Sequence, residues 1–193
     1  MIRKLYDYTM GLAAKPQAKG FLATVSFIES SVFPIPPDVM LIPMVLANRK
    51  EAWRIAAICS VFSVLGGILG YVIGYYFFQL IGEQIIAFYG YQDKFLRFAS
   101  GYSEWGGWIV GFFGLTPFPY KVITIASGAV SLNLGMFIFA SVVSRSARFF
   151  LVAWLLHKFG EPIREFIEKY LGILTILFFI LLFGSFVLLK YVF

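Results

Sequence analysis

Glu29-Ser-Ser-Val-Phe-Pro34-Ile-Pro36-Pro37-Asp38-Val-Met-Leu-Ile-Pro43 decides how the rest of this chain is read. Two carboxylates and four prolines stand inside an apolar run from Phe21 to Ala47 that is long enough to cross a bilayer. Proline lacks a backbone donor and clashes with the preceding turn, so no continuous helix survives Pro34, Pro36 and Pro37. In hydrocarbon the freed backbone groups need partners, which confines a broken helix to the protein interior or a watery cavity. An ionised carboxylate at mid-membrane costs roughly 2.5 to 3.5 kcal/mol or more, so it faces a pathway or a partner. The stretch reads as part of a transport site.

Composition agrees. The 193 residues are 60% hydrophobic and 13% charged, with mean hydropathy +0.84, values that belong to a polytopic membrane protein. The net charge of +6 comes from residues scattered at segment ends, where positive-inside anchoring accounts for them, and not from a nucleic-acid-binding patch. Cys59 and His157 are each the only residue of their kind, so neither a disulfide framework nor a Cys/His metal site is expected, and no cofactor is implied. Cys59 reads as a packing residue and His157 as an interfacial one. Trp53, Trp105, Trp108 and Trp154 lie near segment ends, as aromatic-belt residues do. No nucleophile–base pair or phosphate-cradling glycine loop appears, so the chain reads as a non-enzyme.

Working outward, residues 1–19 have the spacing of an amphipathic interfacial helix and no signal-peptide core. The membrane domain covers 20–157. A broken segment at 21–47 is followed by a transmembrane helix at 52–82, where Gly66, Gly70 and Gly74 recur every fourth residue and let another helix approach closely. Mixed residues at 83–104 predict interfacial helix. A second broken segment, 105–130, is interrupted at Pro117 and Pro119, and a transmembrane helix follows at 134–156. Residues 158–193 predict a surface helix and a C-terminal transmembrane helix.

The two broken segments align. Pro34 with Pro117, Pro36 with Pro119, Val39 with Val122 and Ile42 with Ile125 are each 83 residues apart. Each copy leads into a long apolar helix, which is the pattern of an internal repeat. If each broken segment is a re-entrant hairpin, the second copy is inverted and the two tips meet near the midplane. The expected fold is therefore an all-α inverted repeat of two re-entrant hairpins, each followed by a transmembrane helix. The basic residues then favour a cytoplasmic N-terminus, although five complete spans give nearly the same bias.

Five ionisable residues lie inside apolar segments: Glu29, Asp38, Lys121, Arg145 and Arg148. Asp38 and Lys121 occupy equivalent repeat positions with opposite sign, so meeting tips could pair them. Arg145 and Arg148 share one helix face with Ser141 and Ser144. Two readings stay open. In one the charges neutralise each other so that the bundle packs. In the other Lys121, Arg145 and Arg148 bind an anionic substrate while Glu29 or Asp38 carries a proton, since burial raises a carboxyl pKa.

These residues resemble the DedA family, whose domain is also called SNARE-associated or VTT, and within it the YqaA-like branch. The resemblance spans roughly residues 20 to 157. It rests on Glu29 ahead of Phe33-Pro-Ile-Pro-Pro-Asp38, on Thr116-Pro-Phe-Pro-Tyr-Lys121 leading to Ala126-Ser-Gly128, and on Ser144-Arg145-Ser-Ala-Arg148-Phe-Phe. It implies two facing re-entrant hairpins in the plasma (inner) membrane, and lipid translocation by a flippase or scramblase coupled to the proton motive force. The implied substrate is an anionic lipid, a polyprenyl phosphate or a phospholipid. An acidic pair, here Glu29 and Asp38, and an arginine pair, here Arg145 and Arg148, match the family's essential positions. Two departures stand out: Pro37-Asp38 replaces a common Gly-Glu, and Lys121 stands where many members have arginine. Lysine lacks arginine's bidentate fork. A coupled small-solute transporter and a non-transporting scaffold remain the rival readings, and an oligomer stays open.

Overall fold

The computed structural model describes residues 17–31, 36–116, 118–160 and 162. Among them every regular element is helical and there is no strand. Helix α1 is Ala18–Ser31 and α2 is Asp38–Ala47, on either side of the first proline cluster. A 3₁₀ turn, Arg49–Glu51, leads into α3, Ala52–Phe77. A π-helical turn, Phe78–Gly82, carries α3 into α4, Glu83–Phe88. Then come α5, Gln92–Leu115, and α6, Tyr120–Ala129, flanking the second proline cluster. The last is α7, Leu134–Gly160.

Two of these stretches, Arg49–Phe88 with 40 residues and Leu134–Gly160 with 27, are long and apolar enough to cross a membrane. About 20 residues suffice for a bilayer core at 1.5 Å per residue, so the first stretch extends well beyond one crossing. The helix placed at 52–82 in fact runs on to Phe88, because the π turn absorbs the irregularity at Gly82. The helix ends in a turn at Gly90, whose φ of +68° is a conformation glycine adopts without strain. The boundary expected between an interfacial segment, 83–104, and a hairpin starting at 105 is also absent. Helix α5 passes unbroken through Gly101, Gly106 and Gly107. A mid-helix glycine costs about 1 kcal/mol relative to alanine, and at Gly106 the Leu132 side chain packs where a Cβ would stand. The first sixteen residues, Pro34, Pro117 and nearly all of 158–193 lie outside the described residues. The segments expected at 1–19 and 158–193 therefore fall largely outside them.

Helix α3 is the hub. It packs on α1 along one part of its length and on α6 along another. A Cβ at Gly66 would collide with the backbone of Phe27 on α1, and one at Gly74 with the backbone of Ile125 on α6. Gly70, between them, abuts both Thr124 and the Ser30 carbonyl. The four-residue glycine spacing thus brings two helix backbones into contact with α3.

Helices α3 and α7 run antiparallel. Trp53 stacks on Phe150, Ser63 reaches Arg145 and Tyr71 meets Phe137. Two separate apolar cores result. The first gathers Leu22, Leu41, Val45, Ile55, Cys59, Phe149 and Leu156 from α1, α2, the start of α3 and the end of α7. The second gathers Tyr71, Val110, Phe118, Tyr120, Ile123 and Phe137 around the far half of α3 and the start of α7.

Candidate functional site

Between those two cores lies a belt of charge, near the middle of both α3 and α7. Arg145 is fully buried. Its guanidinium is 4.7 Å from the ring centroids of both Tyr120 and Phe149, contacts in which the ring faces offset part of the lost hydration. Its Nη2 is 3.2 Å from Glu29 Oε2 and its Nε donates to Ser63 Oγ at 2.6 Å. Nη1 is buried with no protein acceptor.

The hydroxyls between Arg145 and Glu29 have a forced direction. Guanidinium can only donate and carboxylate can only accept. Ser63 Oγ receives the arginine Nε–H, and its own proton goes to Ser30 Oγ, 2.7 Å away. Ser30 in turn donates to Glu29 Oε2 at 3.1 Å. Arg145, Ser63, Ser30 and Glu29 therefore close a ring in which every donor points toward the carboxylate.

The second pair joins the two chain breaks. Arg148 Nη2 forms an ion pair with Asp38 at the start of α2. Its Nη1 donates to the Thr116 carbonyl, at the end of α5, at 3.3 Å. One guanidinium thus serves the first break through a carboxylate and the second through a freed backbone acceptor. At the end of α1 the Thr124 hydroxyl of α6 lies 3.2 Å from the Ser30 carbonyl, its proton shared with the Lys121 carbonyl of its own helix at 2.9 Å. Side chains take over the backbone bonds that the prolines remove, as helix ends require. Asp38 Oδ1 remains buried and unpartnered.

Asp38 thus pairs with Arg148 and not with Lys121. Lys121 is half-buried on α6 and makes no ion pair among the described residues. The alignment that made Asp38 and Lys121 equivalent is a relation along the chain. Two equivalent positions meet only if both face the symmetry axis, and Arg148, one turn beyond Arg145, reaches Asp38 instead. Ser141 and Ser144 are buried, but both donate to carbonyls of their own helix. Ser141 also accepts the Tyr120 hydroxyl. Pro36 is half-buried and Pro37 buried at the first break, and Pro119 caps α6. No group of three or more metal-ligating side chains occurs among the described residues. Ser30, Thr124 and Tyr120 escape notice in the sequence, because an isolated serine, a threonine and a tyrosine in apolar helices carry no motif, and Ser63 reads there only as a small residue beside the glycine stripe.

Fold and belt together define an all-helical protein with two helices able to span a bilayer and four opposed charges held between them. An uncharacterized protein of Haemophilus influenzae is 40% identical over 168 residues, 85% of this chain and 87% of its own length. The uncharacterized protein HI0703 homolog of Histophilus somni is similar to the same degree, 40% over 168 residues, 85% and 87% of the two chains. The chain belongs to the family of these two proteins. No family model and no solved structure matches it.

Proposed function

We propose that this protein is a multi-pass transporter of the bacterial inner membrane, N-terminus cytoplasmic, and a member of the DedA family. It translocates an anionic lipid, a polyprenyl phosphate or a phospholipid, between leaflets in exchange with protons. The observation that carries the reading is the pairing of Glu29 with Arg145 and Asp38 with Arg148 at mid-helix. Charges at that depth are costly unless used or compensated. Here each arginine is paired with a carboxylate, which sets the terms of anion binding. A phosphate reaches a guanidinium only by displacing a carboxylate, and a carboxylate leaves readily only when it takes up a proton. Protonation of Glu29 or Asp38 and occupancy by phosphate are thereby linked, with Arg145 Nη1 and Lys121, which makes no ion pair among the described residues, as further donors.

The antiparallel course of α3 and α7 supports an inverted repeat of re-entrant hairpins, since these two helices follow equivalent proline motifs. The encounter of both breaks at Arg148 supports hairpin tips that meet near the midplane. A proton- or cation-coupled small-solute transporter is the second reading, favoured by the complete burial of Arg145.

Proteoliposome assays decide. Wild type, Glu29→Gln and Arg145→Ala proteins, each checked for folding, are tested with a dithionite-quenchable phospholipid analogue and with a polyprenyl phosphate. An imposed pH gradient is applied in half the runs. Translocation that needs both residues and responds to the gradient is expected. Solute uptake with no lipid movement would establish the second reading, and inactivity toward both leaves a scaffold.

A further inference from the structure

We propose that the outer face of α5 is a seat for a phospholipid, held by its phosphodiester at Lys94 and Arg97 with acyl chain laid along the helix toward Phe112. Helix α5 has two opposed stripes. Tyr102, Gly106, Val110 and Gly114 are buried, four residues apart. At 100° per residue, Lys94, Arg97, Gly101, Trp105, Trp108 and Phe112 fall within about 80° of arc on the opposite side. They line a cavity of about 810 Å³.

Three features of this stripe select the occupant. Basic charge is confined to one end: Lys94 and Arg97 lie near the helix N-terminus, and neither forms an ion pair among the described residues. Lys94 rests over the Tyr91 ring at 4.7 Å. The rest is apolar and open, with Trp105, Trp108 and Phe112 at 59, 77 and 65% exposure. In the middle a Cβ at Gly101 would meet nothing within 4 Å, so the stripe is hollow between its basic and aromatic ends. Arg97 to Phe112 is about 22 Å of helix, enough for the head group and acyl chain of one leaflet of a ~30 Å bilayer core. A peptide or a second copy of the chain would not call for one cationic end on an otherwise apolar groove; an amphiphile with one anionic end does. Asp93 and Glu104 flank the stripe, which disfavours a multiply charged head group and fits a phosphodiester.

This seat is separate from the belt around Arg145, and its test needs no transport. Trp53→Phe and Trp154→Phe leave Trp105 and Trp108 as the emitters among the four tryptophans of the chain. That protein is reconstituted in neutral glycosyl diacylglycerol with increasing brominated phosphatidylglycerol. Quenching should report a preference for the phospholipid of about fivefold or more, in line with basic groups at an anionic surface. The preference should fall to one in Lys94→Gln/Arg97→Gln, and Gly101→Leu should weaken it with the protein still monodisperse. A ratio of one in the parent, or a preference that survives Lys94→Gln/Arg97→Gln, would overturn the proposal. So would emission that no brominated lipid quenches, because protein would then cover the face.

Discussion

Arg145 donates its Nε–H to the hydroxyl of Ser63, 82 residues earlier in the chain, at 2.6 Å inside a region with no solvent access. That single bond fixes the plane of the guanidinium, and with it which nitrogen meets Glu29 and which is left over. The small residue at position 63 admits α7 close to α3, and its hydroxyl then orients the charge that the approach buries.

Ser63→Ala should therefore lower stability more than an ordinary surface change. It strands Arg145 Nε and takes the donor from Ser30, and a stranded buried polar group costs about 1 to 3 kcal/mol. Thermal unfolding in detergent should register a lower midpoint. Ser60→Ala, whose hydroxyl bonds only its own helix at Ala56, should move the midpoint much less. Equal shifts would show that the ring around Arg145 contributes nothing special.

A double-mutant cycle separates the two pairings available to Asp38. Asp38→Asn with Arg148→Gln should show a coupling of roughly 0.5 to 3 kcal/mol, as contacting groups do. Asp38→Asn with Lys121→Gln should be additive. Coupling in the second cycle and none in the first would restore the Asp38–Lys121 pair across the repeat.

Glycine substitutions should sort by backbone contact and not by position in the four-residue pattern alone. Gly66→Ala and Gly74→Ala push a Cβ into the Phe27 and Ile125 backbones. Each should cost about 1 to 3 kcal/mol or more, seen as lost monodispersity in size-exclusion chromatography. Gly20→Ala and Gly111→Ala, with open space around the new atom, should elute like wild type. Gly128→Ala belongs with the damaging group, because Tyr71 backbone lies against it.

Much of this was legible in the sequence, for definite reasons. Proline clusters at 34–37 and 117–119 predict helix breaks because proline's missing donor acts locally. Gly66, Gly70 and Gly74 predict close packing because spacing on one helix needs no knowledge of the partner. What distance along the chain hides was not legible. The choice of Arg148 over Lys121 for Asp38 depends on how far each helix is rotated, and a motif does not record rotation. The run of α5 through five glycines depends in part on what packs against Gly106, Gly107 and Gly114. Ser30 and Ser63 matter only through each other and Arg145, a relation among three helices.

The division into two apolar cores has a further consequence for motion. Each core is anchored at a different end of α3 and α7, and the charged belt lies between them. Under the transport proposal one core would have to loosen while the other stays shut, so that the belt is wetted from one face at a time, as in a canal lock with two gates. Cys59 sits in the first core, fully enclosed. Under that proposal a thiol reagent would find it only when the core shared with α1 and α2 opens, and would stay blind to the opposite one.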